Sequence, residues 1–215
     1  MIKNSFIRNN KINLFQKDVI VNLLPIYSII YNNTNKINLN KIFQNKNKNI
    51  IEIGFGNGEH LIYMALKYPN INFLGIELYK KGISLLLLKI HFLKINNLRV
   101  VYKNAYYILN SILPNSVYGI HLLFPDPWSK KKHNKRRLIS NKFTFILHNI
   151  LLKNGYVHIV TDVASYYNFI INIFFKNKLY LIPLKFINSS CVIKYTKYQK
   201  KMKCNFFSEM IFYKK

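Results

Sequence analysis

Five short apolar runs, each followed by a longer stretch of helical spacing, recur between Ile50 and Phe175, and that alternation leaves few architectures open. Ile50–Ile53, Asn72–Glu77, Arg99–Tyr102, Tyr118–Phe124 and Tyr156–Thr161 read as strands. Glu59–Lys67, Lys81–Lys94, Tyr106–Leu113, Asn141–Leu152 and Ala164–Phe175 read as the helices that follow them. Parallel strands need crossover connections, so β-α units in series predict an α/β fold, a parallel sheet with helices on both faces. Beyond Leu179 the helical pattern stops, and Tyr180–Phe186 with Phe206–Phe212 predicts an antiparallel hairpin that finishes the sheet. Ahead of the first strand lie a basic arm over residues 1–13, an amphipathic helix over about Leu14–Ile30 weakened by Pro25, and a polar linker over Asn32–Asn49. The chain thus divides into an N-terminal arm, helix and linker, residues 1–49, and an α/β domain, residues 50–215.

A length of 215 residues suits one such domain with a sizeable core, and a hydrophobic fraction of 50% excludes wholesale disorder. Asn22, Pro25, Lys89 and His91 interrupt the apolar stretches before any reaches the roughly 18–20 residues that span a bilayer, so no membrane association is expected. Residues 1–13 lack the apolar core and cleavage site of a secretory signal, which predicts a cytoplasmic protein. Cys191 and Cys204 form no CxxC and pair with no histidine at metal-ligand spacing, so reduced thiols and no metal are expected. The net charge of +26, from 33 Lys and Arg against 7 Asp and Glu, points to nucleic acid only weakly. Four of those cations are Arg, at positions 8, 99, 136 and 137; the rest are Lys, in a chain also rich in Asn, Ile, Tyr and Phe. Codons for these residues are rich in A and T, so an AT-rich genome supplies such charge without selection for RNA binding. The Gly, Arg, Asp, Glu and Trp that survive that drift carry more information for the same reason.

Glu52-Ile53-Gly54-Phe55-Gly56-Asn57-Gly58 closes the first strand and opens a helix, with three of the 7 glycines in five residues. Glycine there lets the backbone take unusual dihedrals and approach a ligand closely. Glu77 ends the second strand nineteen residues after Gly58, where an acid accepts hydrogen bonds from a ribose diol. Strand, loop, helix and downstream acid together imply a cofactor with an adenosine moiety. Glu-x-Gly-x-Gly-x-Gly departs from the dinucleotide spacing Gly-x-Gly-x-x-Gly, and no Walker lysine follows. The pattern instead resembles motif I of the class I S-adenosylmethionine-dependent methyltransferases. Asp126 ends the fourth strand and Asp162 the fifth, so four of the 7 acids converge on the sheet edge where open α/β proteins bind ligands. Asp162 has a second reading, as a cap for the helix that begins near Ala164.

Phe124-Pro125-Asp126-Pro127-Trp128, followed by Ser129-Lys130-Lys131-Lys132-His133-Asn134-Lys135-Arg136-Arg137, holds the only Trp, two of the 6 prolines and two of the four arginines. A carboxylate fixed between prolines beside a dense cationic run suits a site that handles a base on a phosphate backbone. Trp128 is read either as a stacking surface for the base or as a brace for its loop.

These residues resemble the bacterial tRNA (guanine-N7)-methyltransferase family. The resemblance rests on Ile51-Glu-Ile-Gly-Phe-Gly-Asn-Gly58, Asn72-Phe-Leu-Gly-Ile-Glu77, Leu98-Arg-Val100, the Phe124 to Trp128 motif, Lys130-Lys-Lys-His133 with Lys135-Arg-Arg137, Gly155 through Thr161-Asp162, and Thr196-Lys197-Tyr198. It implies the Rossmann-like class I methyltransferase fold, a seven-stranded mixed sheet with helices on both faces. It also implies methyl transfer from S-adenosylmethionine, without a metal, to N7 of a variable-loop guanosine at tRNA position 46. By the same resemblance Glu52, Gly54, Gly56, Gly58, Glu77, Asn104 and Asp126 face the methyl donor, and Asp126 is the catalytic centre. Lys130, Asp162, Thr196, Lys197, Tyr198 and Gln199 contact the substrate, with Lys132, His133, Asn134, Lys135, Arg136 and Arg137 lying on RNA. A monomer or weak homodimer with tRNA as its partner, and no obligatory protein partner, is expected.

Three positions depart from the family pattern. Asn104 replaces an acid after the third strand, Gln199 ends a Thr-Lys-aromatic-Glu motif, and the Arg- and Gly-rich N-terminal segment is eroded. An exocyclic-amine methyltransferase would carry proline in place of Asp126 in its Asn/Asp-Pro-Pro-aromatic motif. A non-catalytic RNA-binding scaffold would have no reason to keep Glu52, the three glycines, Glu77 and Asp126.

Overall fold

The computed structural model describes residues 11–29, 36–177, 179–181 and 207–215. In chain order these form α1 (Leu14–Tyr27), α2 (Leu39–Phe43), β1 (Lys48–Ile53), α3 (Glu59–Lys67), β2 (Ile71–Glu77), α4 (Lys80–Phe92), β3 (Leu98–Tyr102), α5 (Ala105–Ser111) and β4 (Val117–Leu123). A 3-10 helix at Lys131–Arg136 precedes α6 (Asn141–Ile150), β5 (Leu151–Thr161), α7 (Ala164–Lys176), β6 (Tyr180–Leu181) and β7 (Ser208–Lys214). The seven strands make one sheet in the order β3-β2-β1-β4-β5-β7-β6. β1 to β5 pair in parallel, whereas β7 runs antiparallel to both β5 and β6. The expected α/β sheet with an antiparallel finish is therefore present. Of the predicted hairpin strand Tyr180–Phe186, residues 182–186 lie outside the described residues.

Alternation along each buried strand divides the core between the two faces. Ile50 and Phe73 pack with Leu61, Leu86 and Val19 under α1, α3 and α4. Their neighbours Ile51 and Leu74 point the other way, to Ile108, Phe143, Leu147 and Ile170 of α5, α6 and α7. A strand buried on both faces must be apolar at nearly every position, which is why these runs carry no polar alternation.

Two segments differ from the pattern expected of their sequence. Residues 36–49 are not a polar linker: Ile37 bridges to Ile112, α2 intervenes, and Ile37 and Leu39 are buried in the core. The asparagines that gave the segment its polar look form a side-chain network. Asn72 Nδ2 donates to Asn45 and Asn49, and Asn49 Nδ2 donates to Asn40 and to the Ser116 carbonyl. Satisfied in this way, Asn49 and Asn72 are buried at little cost. The second segment is β5, which begins at Leu151, five residues before the predicted strand. Its register against β4 shifts between Val117 and Gly119, and Asn154 in the intervening kink takes a φ of 61°. The exposed Lys153 and Asn154 at this bulge interrupt the apolar run by which the strand is read from sequence.

The strand order reverses between β1 and β4, the switch point at which open α/β sheets bind ligands beyond the carboxyl ends of their strands. Because β1 and β4 are neighbours, the segments leaving them lie side by side: the glycine loop and the Pro125-Asp126-Pro127 turn.

Candidate active site

The glycine loop owes its shape to three left-handed residues. Gly54, Gly56 and Gly58 have φ of 75°, 58° and 73°, values that cost a side-chain-bearing residue roughly 1 kcal/mol or more. The Gly54 N–H donates to the Ile76 carbonyl, and the Gly58 N–H to that of Phe55. Where a Cβ on Gly54 or Gly56 would lie, no atom comes within 4 Å. The loop is therefore an open cradle at the end of β1.

Glu77 is fixed against that cradle. Its Oε2 accepts from the Gly56 N–H at 2.9 Å, and its Oε1 accepts from the N–H groups of Leu78 and Tyr79 at 2.6 and 3.1 Å. Three donors use three of the roughly four acceptor positions of a carboxylate, leaving one for a hydroxyl of a bound ribose. The open glycines, the oriented acid and the start of α3 at Glu59 fit an adenosine-bearing sulfonium donor. Sequence reasoning missed Gly82 of α4. A Cβ there would meet the Gly56 carbonyl oxygen at 1.9 Å, so only glycine lets the helix press against the back of the loop. An isolated glycine inside a helical pattern was the available signal.

Glu52 sits differently from Glu77. It is buried, and its Oε2 lies 2.6 Å from His60 Nδ1. His60 packs against His121, whose Nε2 contacts the Tyr156 hydroxyl at 3.0 Å and whose ring meets His158 edge-on. His158 Nε2 is 2.6 Å from Glu209 Oε1. Three histidines distant in sequence thus meet in the sheet interior. Ligand atoms of Glu52, His60 and His121 lie within 4.8 Å of one another. The 2.6 Å Glu52 to His60 separation is that of a hydrogen-bonded pair, whereas two ligands on one tetrahedral zinc lie roughly 3.3 Å apart.

Titration of the cluster has two opposed consequences. Burial lowers the His60 pKa, but the charge and hydrogen bond of Glu52 outweigh it and hold His60 above its ordinary 6.5. His60 therefore stabilises the fold fully below about pH 6.5 and loses that contribution as pH rises through its folded value. Burial, then His158 and His60, hold His121 well below 6.5, so His121 favours unfolding as pH falls below 6.5. His121→Gln, which keeps a partner for Tyr156, is expected to lose less stability than the wild type between about pH 7.5 and 5. Urea unfolding at the two values checks this; an unchanged or steeper acid loss contradicts it.

The Phe124 to Arg137 segment leaves β4 as a strained turn. Phe124 and Trp128 have φ of 52° and 45°, so two bulky aromatics in the left-handed region bracket Pro125-Asp126-Pro127. Such conformations cost of order 1–3 kcal/mol each and persist where surrounding contacts fix them. The Phe124 N–H donates to the Val160 carbonyl, and its ring meets Phe207 edge-on. Asp126 is exposed at the tip. The basic run then folds back as the 3-10 helix, placing the Arg136 guanidinium 5.1 Å over the Trp128 ring and His133 against its edge. Partial desolvation, then Arg136, Lys130 and Lys135, hold His133 below its ordinary pKa. Lys130, Lys131, Lys132, Asn134, Lys135 and Arg136 are exposed, whereas Arg137 is half-buried.

Other predicted residues fall on the same rim. Asn104 follows β3 and caps α5, its Oδ1 accepting from the Tyr106 N–H at 2.9 Å, a role for which Asn serves as well as an acid. Asp162 follows the last residue of β5, Thr161, and the N-cap position of α7 falls on Val163, which makes no side-chain cap bond, so Asp162 is not the N-cap residue of that helix. Thr196, Lys197, Tyr198 and Gln199 lie outside the described residues.

Residues 46–205 match the family model described as "Putative methyltransferase". A tRNA (guanine-N(7)-)-methyltransferase of Nitrosococcus oceani is 41% identical over 164 residues, 75% of this chain and 69% of that protein. The chain belongs to the tRNA (guanine-N7)-methyltransferase family. Another member, from Buchnera aphidicola of Schizaphis graminum, is 42% identical over 64% of this chain, a match spanning 58% of that protein's length. A Legionella pneumophila member is 36% identical over 80% of this chain and 77% of its own. Among solved structures, a 30S ribosomal A1408 methyltransferase from an uncultured bacterium superposes with a TM-score of 0.61, at 19% identity, over 87% of this chain and 98% of that one. A SAM dependent methyltransferase from Aquifex aeolicus gives a TM-score of 0.54 at 14% identity, over 82% and 88% of the two chains. These superpositions establish the methyltransferase fold for this family member.

Proposed function

We propose that this protein methylates N7 of a guanosine in the variable loop of tRNA, at position 46, using S-adenosylmethionine. The observation that carries the reading is an exposed carboxylate, Asp126, on a strained turn beside an open glycine cradle at the sheet's switch point. Bound there, S-adenosylmethionine supplies a sulfonium methyl, an electrophile that the N7 lone pair of guanine takes without losing a proton. No general base is then needed; alignment and electrostatics suffice. Gly54, Gly56 and Glu77 hold the donor, and Asn104 closes its adenine end. Asp126 aligns the base and stabilises the positive charge that the methylated ring carries. Lys130, Asp162 and the Thr196 to Gln199 segment engage the nucleoside.

The exposed face of the 3-10 helix carries the RNA backbone through Lys131, Lys132, Lys135 and Arg136. The catalytic unit is residues 50–215, against which residues 11–29 and 36–49 pack, and it works in the cytoplasm as a monomer or weak homodimer. Among the described residues no helix is long and apolar enough to cross a membrane. Calorimetry with S-adenosylmethionine tests the donor site: stoichiometric binding is expected, and no binding would leave only a scaffold on a methyltransferase fold. Converting Lys131, Lys132 and Lys135 to Gln is expected to raise KM for tRNA. The slope of log affinity against log salt should flatten by roughly 0.7–0.9 for each phosphate that a lysine no longer neutralises. An unchanged salt slope would remove the 3-10 helix from the RNA path.

A further inference from the structure

We propose that Arg137 is a positioning residue for the Asp126 turn and not a phosphate contact. Arg136 and Arg137 are adjacent in one cationic run, and sequence gives them the same task, but the structure separates them. Arg136 is exposed, with its guanidinium over the Trp128 ring. Arg137 turns inward: its Nε–H donates to the Pro127 carbonyl at 2.8 Å, and its guanidinium lies 5.0 Å over the Tyr166 ring and 4.5 Å over that of Phe169.

The need for such a tie follows from the turn itself. Pro125 and Pro127 have no N–H to donate, so the backbone flanking Asp126 has little with which to close its own turn. The left-handed Phe124 and Trp128 must nevertheless be held. Arg137 supplies a donor to the carbonyl of the residue that follows Asp126, and its planar face is clamped on α7 by two aromatic rings. The site's two flanks, the β4 turn and the start of α7, are thereby joined by one side chain. Electrostatics places them together as well: burial pushes the Tyr166 phenol up, Arg137 opposes that rise and Asp126 adds to it. Lysine keeps the charge of arginine but has neither the Nε–H nor the planar stacking face. A phosphate contact tolerates Arg137→Lys; this brace does not.

The proposal rests on Asp126 being the methyl-transfer centre, so one arm of its test is independent of activity. Trp128 is the only tryptophan in the chain and belongs to the braced turn, so its fluorescence reports the turn directly. In the full-length protein, Arg137→Lys is expected to make Trp128 more accessible to acrylamide, while the unfolding midpoint shows the protein folded. Quenching identical to the wild type overturns the brace, whether or not the protein methylates tRNA. In the activity arm, Arg137→Lys is expected to lower kcat about 100-fold, the effect of misplacing a reacting group by about 1 Å. KM for tRNA, its salt slope and donor affinity should not change. On an Asp126→Asn background the same substitution is expected to change kcat less than about threefold, because the two act as one unit. Additive losses, or a raised KM with a flattened salt slope, overturn the proposal. A wild-type protein inactive on tRNA refutes the functional reading alone and leaves the quenching arm to decide the brace.

Discussion

Asp126→Asn is expected to abolish methyl transfer, lowering kcat by about 10²–10³-fold, the range seen when one preorganised electrostatic partner of a transition state is removed. Donor affinity and unfolding midpoint should remain those of the wild type. The structure separates the two outcomes because Asp126 is exposed and forms no hydrogen bond or ion pair with another described residue. Exchanging a solvated surface carboxylate for its amide ordinarily alters stability by no more than about 0.5 kcal/mol. The fold has no use for this acid, yet sets it on a turn bracketed by two left-handed aromatics. Steady-state rates on tRNA beside a thermal melt check the prediction. Wild-type turnover would dismiss Asp126 from the reaction, and a collapsed melt would make it structural.

Gly82→Ala should have the second-largest effect, and its sign tests the geometry of the donor cradle. Inside a helix, Gly to Ala normally stabilises by roughly 0.5–1 kcal/mol. Here the new methyl would lie 1.9 Å from the Gly56 carbonyl oxygen, a backbone atom that moves only if the whole loop moves. Overpacking of this kind costs typically 1–3 kcal/mol and occasionally more, so the steric term exceeds the propensity term. For a chain of this size each kcal/mol lowers the melting temperature by about 2–4 °C. The displaced Gly56 N–H is the one that orients Glu77, so donor affinity should fall with stability. A melting temperature that rises, as propensity alone dictates, would show that α4 does not press on the loop.

What the sequence made legible was what local periodicity encodes. The first four strands of the parallel sheet, and β5 from Tyr156 on, were readable because each is a short, mainly apolar run, and the glycine loop because three glycines so closely spaced suit left-handed φ values. Three features were hidden for separate physical reasons. Residues 36–49 looked like a linker because asparagine is usually solvated, whereas Asn49 and Asn72 are satisfied by partners 9 to 67 residues away. Arg136 and Arg137 looked equivalent because one residue's difference in direction at the end of a 3-10 helix leaves no trace in composition. Glu52 looked like a second ligand-facing acid. Its pairing with His60, and through it with His121 and His158, depends on strand register, which no local pattern records.

The most direct test incubates unmodified tRNA with the full-length protein and S-adenosylmethionine labelled in its methyl group, then digests the tRNA to nucleosides. The account predicts that the label is recovered as 7-methylguanosine, from the variable loop. Label on an exocyclic amine or a ribose, or none at all despite donor binding, would contradict it.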